Sequence, residues 1–91
     1  MEQDDNDTPN IKIEISPNGK YLVTYSKEDR SIVGWNVEDK TEGRLEPDST
    51  VNPVKIGYKM NINQICVSDD KKLVYIYNYS DLHGKNFIGK Q

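Results

Sequence analysis

An internal repeat limits what this chain can fold into more than any other feature. Ile15-Ser16-Pro17-Asn18-Gly19-Lys20-Tyr21-Leu22-Val23 aligns without gaps against Val67-Ser68-Asp69-Asp70-Lys71-Lys72-Leu73-Val74-Tyr75, 52 residues further on. Each copy reads as strand, Ser-led turn, strand. Self-similarity at a fixed spacing marks repeat architectures, in which one supersecondary unit cannot bury its apolar face alone and stacks on the next.

Period-two alternation supplies the strands around that repeat. Ile11-Lys12-Ile13-Glu14-Ile15 alternates apolar with polar, the pattern of a strand buried on one face. In Ser16-Pro17-Asn18-Gly19 the proline presets φ and Asn-Gly tolerates positive φ, which makes a tight turn. Tyr21 to Ser26, the polar turn Lys27-Glu28-Asp29-Arg30, and Ser31 to Val37 complete an antiparallel meander. Residues 38–53 hold only Leu45 and Val51 as apolar members, with five acids against two bases, and read as a long acidic surface loop. Val54 to Met60, Ile62 to Ser68, and Leu73 to Tyr77 read as the next three strands, and Asn86-Phe87-Ile88 as a short seventh. Residues 1–10 carry four acids and one apolar side chain, too little to offset ordering entropy, and are expected to form a disordered acidic tail. Composition agrees with strands: there is no alanine, and sixteen Ile and Val stand against four Leu. Ile, Leu, Val and Phe make 21 of 91 residues, enough for a modest core only.

The run from Ile15 through Trp35 to Asp39 resembles the inner part of a WD repeat of a β-propeller. In that family a Ser-Pro-Asp-Gly-Lys turn joins the first two strands and a Trp-Asp pair closes the third; here the pair is Trp35-Asn36. The resemblance implies that Thr24, Asp29 and Trp35 occupy the places of a structural hydrogen-bonded network, although the family's Gly-His is absent before Ile11. The second copy has Ile76 in the place that the gapless match assigns to Thr24, and it lacks the Trp. With a long loop inside it, the 52-residue spacing approaches the ~40–45 residues of a four-stranded blade. The implied fold is all-β, with antiparallel four-stranded propeller-blade meanders. Residues 11–60 form a first blade with the acidic loop 38–53, and 61–91 a partial second, about one and three-quarters of the ~4–8 blades that close a ring. Tyr21, Val23, Ile32, Trp35, Tyr75 and Tyr77 would then be partly exposed unless further blades, from the same or another chain, cover them.

Charge and motif content narrow the function classes. A net charge of −3 and a pI near 5.0 provide no positive field for phosphates, so nucleic acid is not an expected partner, despite six tyrosines. The one histidine, His83, sits in a polar turn with no nucleophile or orienting acid placed by the sequence; no catalytic residue is assigned and no enzyme is expected. One Cys and one His fall short of structural zinc, and no phosphate-cradling Gly loop occurs, so neither metal nor cofactor is implied. Cys66, between Ile65 and Val67, is expected to be a buried structural thiol. No stretch reaches membrane-spanning length and the amino terminus is acidic, so no membrane partner and a cytoplasmic location are the expectation, the nucleus being left open.

The expected role is that of a WD-repeat-like segment acting as a protein–protein interaction scaffold. The alternative is a non-catalytic fragment of a larger propeller-bearing enzyme or signalling protein, or a degenerate repeat product without independent activity. By the family geometry, Lys27, Glu28 and Arg30 lie on one face of the disc with Asn61 and Asn63, as partner-binding candidates. The turn Pro17 to Gly19 and the acidic loop lie on the other, the loop as a contact for a basic protein.

Overall fold

The computed structural model describes residues 11–37 and 45–91, so the expected tail 1–10 and the 38–44 part of the acidic loop lie outside the described residues. The rest is all-β and antiparallel. Strands β1 (Ile11–Ile15), β2 (Tyr21–Ser26) and β3 (Ser31–Val37) form a meander. Its fourth position is shared by two short strands on the same edge of β3: β4 (Leu45–Pro47) pairs the end of β3, and β5 (Val54–Lys55) pairs its beginning. A second, three-stranded meander follows, made of β6 (Met60–Val67), β7 (Leu73–Tyr79) and β8 (Phe87–Lys90). Among the described residues no helix is long and apolar enough to cross a membrane.

Several sequence expectations shift here. The loop expected over 38–53 gives way to strand at Leu45–Pro47, because even this polar segment satisfies its backbone groups on the free edge of β3. The strand expected over Val54 to Met60 is only Val54–Lys55. A turn closed by the Met60 N–H on the Gly57 carbonyl follows, and Met60 pairs Tyr79, so it belongs to the second sheet. In β6 the buried residues Ile62, Ile65 and Val67 do not alternate strictly. The ladder slips between Ile62 and Gln64, which leaves Asn63 as a bulge; one extra residue there returns Ile62 to the face of Ile65 and Val67.

The structure also revises the repeat. Ser16 and Ser68 play the same part: the Ser16 hydroxyl accepts from the N–H groups of Lys20 and Tyr21, and the Ser68 hydroxyl from that of Lys72, each at 3.0 Å. Gly19 and Lys71 hold equivalent left-handed positions, with φ of 72° and 71°. Between Ser16 and its ladder partner Tyr21, however, lie four residues, and between Ser68 and its partner Lys72 only three. Lys20 therefore has no counterpart, and β2 matches β7 at a shift of 51, which puts Leu22-Val23 on Leu73-Val74. Thr24 then corresponds to Tyr75, not to Ile76.

Hydrogen-bond direction shows how the two sheets stack. The carbonyl of Tyr21 points to β1, where it accepts from Ser16, whereas the N–H and carbonyl of Leu73 point to β8, where they exchange bonds with Gln91. For L-residues on strands of the same sense, backbone groups pointing to opposite sides put the side chains on opposite faces of the sheet. Tyr21 and Leu73 are nevertheless both buried in one core, with Val23, Tyr25, Ile32, Ile56, Ile62, Ile65 and Val67. The front of the first sheet thus packs on the back of the second, with β6 lying against β1 and β2. This is head-to-tail stacking of like units, not two sheets facing each other.

That stacking decides which apolar residues are covered. Tyr21, Val23 and Ile32, expected to be partly exposed, are 2–3% exposed because they form the front of the first sheet. Ile11, Ile13 and Ile15, expected to be the buried face of their strand, are 56%, 61% and 53% exposed. They share the back of the first sheet with Leu22, Val33 and Trp35, and nothing in the chain's described residues lies against it. Cys66 is exposed, not buried: it pairs Val74 on the front of the second sheet, opposite to the face that enters the core.

Candidate partner-binding face

The turns distant from the two Ser-led turns gather the residues singled out from sequence. Lys27, Glu28 and Asp29 are exposed in the β2–β3 turn. Arg30 ends that turn in the left-handed region at φ 54°, which costs a non-glycine residue about 1 kcal/mol. Two backbone bonds hold it there, from the Arg30 N–H to the Ser26 carbonyl at 2.8 Å and from the Ile56 N–H to the Arg30 carbonyl at 2.9 Å. The result is that its guanidinium lies 4.9 Å from the centre of the Tyr58 ring, which is 77% exposed. A cation over an aromatic face is worth about 0.5–1 kcal/mol at such an exposed site.

Next to this pair runs a polar ridge on the second sheet. The Asn61 side-chain amide donates to Asn78 Oδ1 and Ser80 Oγ, both at 3.1 Å, Asn63 donates to Asn86 Oδ1 at 3.5 Å, and Lys59 pairs Asp81 at 3.3 Å. Arg30 and Tyr58 thereby connect the first turn to the segment that leads into Asn61 and Asn63. The two asparagines also serve their own sheet, Asn63 as the bulge residue. Tyr58 was not legible as a site residue: alternation from Val54 to Met60 put it in a strand, whereas the Gly57–Met60 turn presents it to solvent.

The three places implied by the WD resemblance are partly brought together. Trp35 Nε1 donates to Thr24 Oγ1 at 3.0 Å on the back of the first sheet. Asp29 stays in the exposed turn, where its N–H donates to Ser26 Oγ at 3.2 Å, and among the described residues its carboxylate makes no bond to Thr24 or Trp35.

A second polar centre lies near the Ser-led turns. Asp48, from the expected loop, is only 5% exposed. Its N–H donates to the Gly34 carbonyl, which folds the chain over β3. Its carboxylate accepts from the Tyr21 hydroxyl at 2.7 Å, from Thr50 Oγ1 at 2.6 Å and from the Thr50 N–H at 3.0 Å, and Lys71 Nζ stands 3.3 Å away. These bonds, Thr50's first and then Tyr21's, hold the Asp48 carboxyl well below the usual carboxylate range. Burial first, and then Asp48, push the Tyr21 phenol well above its ordinary value. Asp48 joins the loop, β2 and the second Ser-led turn, so it is not available to a basic partner as the loop proposal required; Glu46 is exposed. The Asp48-Ser49-Thr50 string carried the signal, since an Asp accepting from the N–H two residues on is a recurrent local turn.

Beside Tyr21, Gly34, Lys71 and Leu73 a cleft of about 20 Å³ remains, the room of one water. Among the described residues no group of three or more His, Cys, Asp or Glu side chains stands close enough to hold a metal ion. Comparison of the chain with protein-family models, curated proteins and solved structures finds no match.

Proposed function

We propose that the chain is a non-catalytic protein-interaction module, a propeller-like repeat segment that presents the Arg30–Tyr58 turn face to a protein partner. The observation that carries the reading is that exposed pair, held by a strained backbone at the tip of a rigid sheet. Arg and Tyr are over-represented among the residues that dominate binding energy, and strain stored at an exposed tip is characteristic of functional positions. The propeller-like part rests on the head-to-tail order of the two meanders and on the Trp35–Thr24 bond, which falls where the WD resemblance expects it.

The open back of the first sheet favours a second reading, in which the chain is a segment of a larger propeller-bearing protein. Immobilised full chain, used to capture proteins from its own cells, tests the first. A discrete partner retained by the wild type and lost with Arg30→Ala and Tyr58→Ala, both melting as the wild type does, supports it. Equal retention by the variants, or no partner, removes the turn face from the account.

A further inference from the structure

We infer that the back of the first sheet binds the front of the second sheet of another copy of this chain, so that copies assemble head to tail. The chain itself shows what covers such a back. In β6, Ile65 and Val67 occupy the positions that Ile13 and Ile15 occupy in β1, two strands matched at the shift of 52 that also superposes Ser68 on Ser16. Ile65 and Val67 are buried, and what buries them is the front of a like sheet. Ile13 and Ile15 present the same apolar pair on the same face, uncovered.

One chain also carries the matching cover. On the front of the second sheet, Val74 and Ile76 take the positions that Val23 and Tyr25 hold on the front of the first, the latter two buried against the core and Val74 still 38% exposed. Ile88 extends this front at 65% exposure, and beside Cys66, Val74 and Pro17 lies a depression of about 370 Å³. Because β6 lies against β1 within the chain, the equivalent contact puts Cys66 of one copy next to Ile13 and Ile15 of the next. The two surfaces differ, so the interface is heterologous, and such interfaces close into rings when the rotation per unit permits. With two sheets per chain, two to four copies would supply the ~4–8 sheets of known closed rings. None of these residues belongs to the Arg30–Tyr58 face, so this inference and the partner-binding proposal stand or fall separately.

The test is the solution mass of the full chain together with a cysteine-pair trap. Light scattering is expected to give a whole-number multiple of 10.5 kDa, falling to the single-chain mass in Ile13→Asp, which keeps the β-sheet circular dichroism spectrum because position 13 is exposed within the single chain. In Ile13→Cys, a short thiol cross-linker is expected to join position 13 to Cys66 of another copy and produce a ladder, which Cys66→Ser abolishes. A wild-type chain of single-chain mass overturns the proposal. So does a cross-linked dimer that persists in the Ile13→Cys, Cys66→Ser chain, since it would show two first sheets packed back to back.

Discussion

Replacing Gly34 by alanine tests how closely the front of the first sheet is packed. A Cβ at Gly34 would stand 2.0 Å from the Tyr21 hydroxyl and 2.7 Å from its Cζ, so the ring must move. It has little freedom to do so: Tyr21 is 3% exposed and its hydroxyl is bonded to Asp48. Overpacking costs about 1–3 kcal/mol, and loss of the Asp48 bond moves the expectation to the upper part, about 2–3 kcal/mol. At roughly 4–8 °C per kcal/mol for a domain of this size, the melting temperature should fall by about 8–24 °C. Gly89 is the internal control. Its Cβ would meet the Tyr75 side chain at 2.2–2.5 Å, but Tyr75 packs at the margin of the core, is only partly buried, and among the described residues no hydrogen bond holds its hydroxyl, so Gly89→Ala should cost less, about 1–2 kcal/mol. Thermal melts of both variants by circular dichroism make the comparison. Adding Tyr21→Phe to Gly34→Ala removes the nearest atom and should recover part of the loss, although Tyr21→Phe alone destabilises. Equal melting of Gly34→Ala and wild type, or a larger loss at Gly89, would refute the reasoning.

Deleting Asn63 removes the bulge and leaves Ile62 two residues before Ile65, still on the core face, so a denaturant titration should show a loss well below the about 1.5–3 kcal/mol that turning Ile62 out to solvent would cost. Asp48 and Asp69 are both held below the ordinary carboxylate range, Asp69 by hydrogen bonds from Ser16 first and then Asn18. A depressed folded-state pKa gives stability that is present above the unfolded value of about 3.9 and is lost as pH falls toward the folded one. Acid titration of the wild type should therefore show a loss below pH ~4 that Asp48→Asn reduces. Tyr21 is raised, so its contribution is complete below an unfolded pKa of about 10 and lost as pH rises above it. Alkaline unfolding of the wild type should shrink in Tyr21→Phe.

Most strands were legible because β-branched and aromatic residues concentrate in them: β2 spans Tyr21–Ser26 as expected, and β7 runs two residues past the expected Tyr77. What escaped depends on single-residue register. The gapless match of Tyr21 to Leu73 conceals one residue fewer in the second Ser-led turn, and a one-residue slip changes which face every following side chain occupies. Ile13 and Ile15 differ from expectation for a separate reason: alternation identifies the apolar face of β1 but not whether another sheet lies on it, and among the described residues none does. Asp48 escaped for another reason: its partners Tyr21 and Lys71 lie 27 residues before and 23 after it, beyond any local pattern. At the turn face, Arg30 was legible from its polar turn, whereas Tyr58 required the break in β5 to be known.

Head-to-tail stacking of the two sheets is the central claim, and methyl contacts within one molecule test it most directly. Chain labelled at Ile, Val and Tyr, diluted into unlabelled chain so that only intramolecular contacts register, should give nuclear Overhauser cross-peaks from Ile65 and Val67 to Val23 and Tyr25. The Ile13 and Ile15 methyls should show none to the second sheet. Cross-peaks between Ile13 and Ile65 of one molecule would mean that the back of the first sheet, not its front, faces the second, and would contradict the account.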